Sequence, residues 1–129
     1  MPKWSAAPLE GVNGIKFGMS RDEVRKAVGR AYKEFRKNKF SKTLTDDFGI
    51  CHVFYNPDDK CEAVEVFGEC EISVNGEVIF PLDIPSVKKQ IPDLEEDMGS
   101  YISKKLSIGI YAPEGTPESI LFGEAGYYE

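Results

Sequence analysis

Apolar residues alternate with polar ones over much of the chain's middle, the period of half-buried strands. Ile50–Tyr55 is β-branched and aromatic, Asn56-Pro-Asp-Asp-Lys60 supplies turn chemistry, and Cys61–Phe67 returns, which predicts a hairpin. Next, Cys70, Ile72 and Val74 alternate with Glu69, Glu71 and Ser73, giving one dry face and one wet face. Asn75-Gly76 is the preferred type I′ turn, and Glu77–Phe80 returns until Pro81 stops it. Leu106, Ile108 and Ile110 alternate with Ser107, Gly109 and Tyr111 in a further strand. Pro113 to Pro117 is a wide turn, Ser119–Phe122 a last strand, and residues 123–129 a tail.

Two stretches follow the helical period instead. Ser20-Arg-Asp-Glu23 spells a capping box, Val24, Ala27 and Val28 form one apolar stripe, and Gly29 suits a left-handed stop. The spacing predicts a helix over Arg21–Val28. Asp83 caps a second helix over Ile84–Ile91, with Pro85 in its first turn and Pro92 beyond its end. Residues 1–14 read as an irregular arm tacked down by Trp4 and Leu9. Tyr32 and Phe35 at helical spacing predict a further helix after Gly29, and the stretch is also compatible with an extended crossing. It leads into a basic loop anchored by Phe40. Asp93–Asp97 reads as an acidic loop.

The chain echoes itself. At an offset of 63, Ile15–Val28 lies on Val78–Ile91, so that Phe17 meets Phe80, Ser20 meets Asp83 and Arg25 meets Lys88. At an offset of 56, Tyr55 meets Tyr111, Pro57 meets Pro113 and Val64 meets Ile120. The expected architecture is α+β: one domain over 1–129, with short helices packed on one face of an antiparallel sheet. Two tandem helix-plus-hairpin units over 15–67 and 78–123 would share that sheet.

Charge sharpens the picture. Residues 1–64 carry a net +3 and residues 65–129 a net −9, giving −6 for the chain. The acidic half repels phosphate, which disfavours nucleic acid, and it favours a basic protein partner. No apolar run approaches a membrane span, and the N-terminal stretch has no signal-peptide core, so a cytoplasmic protein is expected. Cys51, Cys61 and Cys70 are odd in number and widely spaced, which fits buried free thiols better than disulfides or zinc.

Catalytic signals are sparse. The single histidine, His52, adjoins Cys51, but neighbours in a strand point to opposite faces and make no ready dyad. Asp46-Asp47 and Asp58-Asp59 lack the alternating ligands of a calcium loop. There is no phosphate-binding loop, dinucleotide fingerprint or zinc-protease helix. The basic run Lys33, Arg36, Lys37, Lys39 and Lys42, interleaved with Tyr32, Phe35 and Phe40, suits single-stranded nucleic acid, a solvated loop or a self-contact that allows a homo-oligomer. No catalytic, metal or cofactor residue is assigned, and the chain is not expected to be an enzyme.

Ile15-Lys-Phe-Gly-Met-Ser-x-x-Glu23-Val-x-x-Ala-Val-Gly29 resembles the helix-start motif of the family containing β-lactamase inhibitor protein and the small lipoprotein of the outer-membrane barrel assembly machine. The resemblance implies short helices on an antiparallel sheet, tandem units and a protein-binding role. In size, acidity and want of a catalytic motif the chain is also similar to bacterial immunity proteins. The expected function is therefore inhibition of a basic protein partner, a toxin domain, by occluding its active site. The expected contact residues are Glu69, Glu71, Glu95, Glu96, Asp97, Tyr111, Tyr127 and Tyr128. The alternatives are a structural or adaptor domain, or a small metal-dependent hydrolase using Asp46, Asp47 and His52.

Overall fold

The predicted hairpins form, but they belong to wider sheets than the pattern suggests. A computed structural model describes residues 3–36, 39, 43–68 and 70–128. The strands are β1 (Lys3–Ala7), β2 (Gly11–Val12), β3 (Ile15–Lys16), β4 (Lys33–Arg36), β5 (Leu44–Asp47), β6 (Cys51–Tyr55) and β7 (Cys61–Phe67), followed by β8 (Glu71–Val74), β9 (Glu77–Phe80), β10 (Glu95–Asp97), β11 (Ser100–Ser103), β12 (Ile108–Tyr111) and β13 (Ser119–Gly123). The helices are α1 (Arg21–Val28) and α2 (Ile84–Gln90). With thirteen strands against two short helices among the described residues, the chain is mostly β, which overturns the expected α+β layering.

Five strands pair in the order β3-β2-β1-β8-β9, and eight in the order β10-β11-β12-β13-β7-β6-β5-β4. Trp4, Val12, Ile72 and Ile79 of the smaller sheet share one core with Val53, Val66, Ile108 and Phe122 of the larger. The helices contribute only Val24, Ile84 and Val87 as buried residues. So the smaller sheet supplies much of the inner packing that the expected architecture gave to helices.

Three further readings are corrected. The N-terminal arm is a strand, because Trp4 and Ala6 point inward and β1 pairs in parallel with β8, Trp4 beside Ile72. The predicted helix after Gly29 is β4, an edge strand whose charged residues face water. The acidic loop is β10, exposed throughout, which forms the opposite edge. Phe40 lies outside the described residues.

The larger sheet consists of two four-strand meanders, β4–β7 and β10–β13, joined antiparallel through β7 and β13. Val66 faces Ile120 and Val64 faces Phe122, so the register is symmetric about the pair Glu65 and Leu121. Each meander follows a short strand and a capped helix, and the caps Ser20 and Asp83 have nearly the same backbone angles. Tyr55 and Tyr111 are not equivalent. Val53 pairs with Val64 and Ile110 with Ile120, so across β6 and β12 Tyr111 corresponds to Phe54; Tyr55, in line with Val53, is buried in the core, and Tyr111, in line with Gly109, is exposed.

Helix α1 is held on the inner side of β5 and β6 by charge. The Asp46 carboxylate, with no exposed surface, accepts from Arg21 Nη1 at 3.1 Å, Arg25 Nη2 at 2.8 Å and the Tyr55 hydroxyl at 2.9 Å. Arg21 also donates to Asp59 at 2.7 Å and to the Leu44 carbonyl, and its guanidinium lies 4.0 Å from the Tyr55 ring centre. Arg25 reaches Glu34 at 3.1 Å and covers Tyr32 at 3.9 Å. Hydrogen bonding to Asp46 holds the Arg25 guanidinium well above its ordinary value, so it stays charged.

Asp46→Asn leaves two arginines facing a neutral amide, and urea unfolding should show a loss of about 3 kcal/mol or more. Three carboxyls sit below the usual carboxylate range: Glu23 through the Ser20 N–H and hydroxyl, Asp59 through Arg21, and Asp83 through the Ser86 hydroxyl and N–H. A lowered folded value stabilises above the unfolded value and is lost as pH falls through the folded one. The thermal midpoint should therefore drop below about pH 4, and less steeply in Asp59→Asn.

Candidate functional site

Strand alternation divides the larger sheet into an inner face, which builds the core, and an outer face. Register carries one row of outward positions across all eight strands: Lys33, Asp47, His52, Glu65, Leu121, Gly109, Ile102 and Glu95. A second row runs Asp97, Ser100, Tyr111, Ser119 and Phe67.

The first half of this face is aromatic. His52 meets Phe35 at 4.9 Å and Phe67 at 4.7 Å between ring centres, both edge-on. Its Nε2 is 3.6 Å from Asp47 and its Nδ1 3.6 Å from Glu65. Glu65 also accepts from the Ser119 hydroxyl at 3.0 Å.

The second half is covered in part by the chain's own end. Gly109 and Gly123 leave outward gaps, which Tyr128 and Tyr127 fill, and a Cβ at Gly109 would collide with the Tyr128 hydroxyl. The two tyrosines pack edge to face at 5.2 Å. Burial pushes the Tyr128 phenol above its ordinary value, so it stays neutral. Tyr111 remains 48% exposed.

The predicted contact residues divide accordingly. Glu95, Asp97, Tyr111, Tyr127 and Tyr128 meet on this face. Glu96 points to the opposite side, where the Tyr101 hydroxyl donates to it at 3.4 Å. Glu71 belongs to the smaller sheet, beside Lys3, so it does not share a surface with Tyr111. Glu69 lies outside the described residues. The sequence reading missed Glu65, His52 and Gly109 as members of the face. The alternation Val64-Glu65-Val66 carried the signal for Glu65.

The hydrolase trio does not converge. Asp46 is buried on the inner face, whereas Asp47 and His52 are on the outer one. Asp59 is occupied by Arg21. The basic, aromatic run does not form a stacking platform either, since Tyr32 lies under Arg25 while Phe35 packs on His52. Lys37, Phe40 and Lys42 of that run lie outside the described residues. Cys51, Cys61 and Cys70 are buried free thiols, and burial pushes Cys51 and Cys61 up to about 12. Among the described residues no helix is long and apolar enough to cross a membrane. Comparison with protein families, curated proteins and solved structures found nothing that matches this chain.

The glycine gap gives a direct test of the tail. In Gly109→Ala the new methyl takes the space of the Tyr128 hydroxyl, the movable end of a side chain. The fold should persist with a loss of about 1–3 kcal/mol. Limited proteolysis should then cut within residues 124–128 faster than in the parent.

Proposed function

We propose that the protein is a binding inhibitor of the immunity type, acting in the cytoplasm to neutralise a basic toxin domain by covering its active site. The observation that carries this reading is the outer face of the eight-stranded sheet. It presents the exposed Tyr111 and the partly buried Phe35, Phe67, Ile102 and Leu121 over a broad surface bearing Asp47, Glu65, Glu95 and Asp97 against Lys33 and Lys104. Apolar side chains left partly open to solvent together on one face of a sheet mark an interaction surface. Acidic groups around it would draw a cationic partner and exclude an anionic one. Carboxylates along β10 could stand where substrate phosphates sit if the partner cleaves nucleic acid.

The test is affinity capture from the native host at low salt, followed by an activity assay of the captured protein. A stoichiometric partner with a basic domain, whose activity this protein abolishes, is the expected result. Leu121→Arg on the outer face should weaken that complex by about a hundredfold or more, while Glu71→Ala on the other sheet should leave it unchanged. Replacing Glu95 and Asp97 together should slow association and flatten its salt dependence. Equal binding by all these variants would remove the outer face from the mechanism.

A further inference from the structure

We propose that a pocket at the centre of the outer face is a socket for one arginine side chain of a protein partner. This rests on the binding role proposed above and specifies what the face recognises.

The pocket lies where the two meanders meet, lined by Glu65, Ile102, Tyr111, Ser119, Leu121 and Tyr128, among others. Its volume is about 180 Å³, below the roughly 300–1,000 Å³ of small-molecule sites and suited to a single inserted side chain. Glu65 is the charged group of the lining. Its carboxylate is only 29% exposed, and its neighbours are the Ser119 hydroxyl and the His52 ring. Among the described residues no lysine or arginine pairs with it. A carboxylate largely withdrawn from water, whose hydrogen bond comes from the Ser119 hydroxyl, gains most from a cation brought in beside it.

The rest of the lining selects the cation. Ile102 and Leu121 offer methyl groups to an aliphatic stem. Tyr111 and the neutral Tyr128 offer rings to a flat cation. Guanidinium is more weakly hydrated than ammonium and stacks on aromatic rings, which favours arginine over lysine. A metal ion is a poorer match, because no group of three ligating side chains gathers among the described residues.

The test uses the full chain and N-acetyl-arginine amide, with the neutral isostere N-acetyl-citrulline amide as control at matched ionic strength. Amide shifts in NMR spectra should move for Gly109, Ser119 and Leu121, saturating at millimolar arginine amide and not responding to citrulline amide. Glu65→Gln, which keeps size and shape, should weaken the response about tenfold or more, as should Tyr111→Ala at an exposed position. No response, an equal response to citrulline amide, or a response untouched by Glu65→Gln would overturn the socket. The two readings fail separately. A partner that is inhibited regardless of Glu65→Gln, with no arginine response, removes the socket and leaves occlusion. An arginine response without any inhibited partner retains the socket and removes the inhibitor.

Discussion

The buried carboxylate of Asp46 is the contact on which the first half of the molecule is organised. β4 and β5 form the edge of the larger sheet and bury little apolar surface, so packing alone holds them weakly. Asp46 ties α1, β5 and β6 together through Arg21, Arg25 and Tyr55, and Arg25 extends the tie to β4 through Glu34. Each arginine is shared with a second carboxylate and lies on an aromatic ring, which compensates the desolvation that makes isolated buried ion pairs unfavourable. The second half meets the same need differently. There Lys88, which aligns with Arg25, lies 5.6 Å from the ring of Tyr101 on β11. The corresponding edge is secured by a lysine over an aromatic ring in place of a buried ion cluster.

That division explains what could be read from the sequence. The strands found by alternation, β6 to β9, β12 and β13, bury one face, and alternation is a burial signal. The strands missed in the larger sheet are its two edges, β4 and β10, whose side chains are charged because an open edge must not invite pairing, and their neighbours β5 and β11, whose Leu-Thr-Asp-Asp and Ser-Tyr-Ile-Ser show little apolar alternation. β1 was missed for another reason. It pairs in parallel with β8, nearly seventy residues onward, and nothing local in Lys-Trp-Ser-Ala-Ala announces a distant partner. The helices were legible to within a residue because their signals are local: a capping box and glycine stop for α1, and an aspartate cap for α2.

The outer face was half legible for the same physical reason. Residues conspicuous by charge or exposure, Glu95, Asp97, Tyr111 and the terminal tyrosines, were identified. Glu65 and His52 were not, because what distinguishes them is the neighbour set supplied by register. In sequence Glu65 is one glutamate among many. In the sheet it stands beside Leu121 at the centre of symmetry of the β7–β13 pairing, between an aromatic cluster and a pocket. Glu71 failed in the opposite direction: its alternation was read correctly, but its strand joined the other sheet.

The position of the face also bears on how it can recognise a partner. Its members are fixed on paired strands, so little backbone order remains to be gained on binding, and the entropic cost that weakens loop-based recognition is reduced. Charge along β10 lies at the edge of the sheet, where water screens it, and in the proposed complex it would act mainly on the rate of encounter. Glu65 lies at the middle of the sheet, half withdrawn from water, where an approaching group either neutralises it or is rejected. In the proposed complex an attracting edge and a discriminating centre would divide the tasks of speed and specificity between two sets of carboxylates. Fold symmetry places the discriminating one at the seam, flanked by both meanders at once.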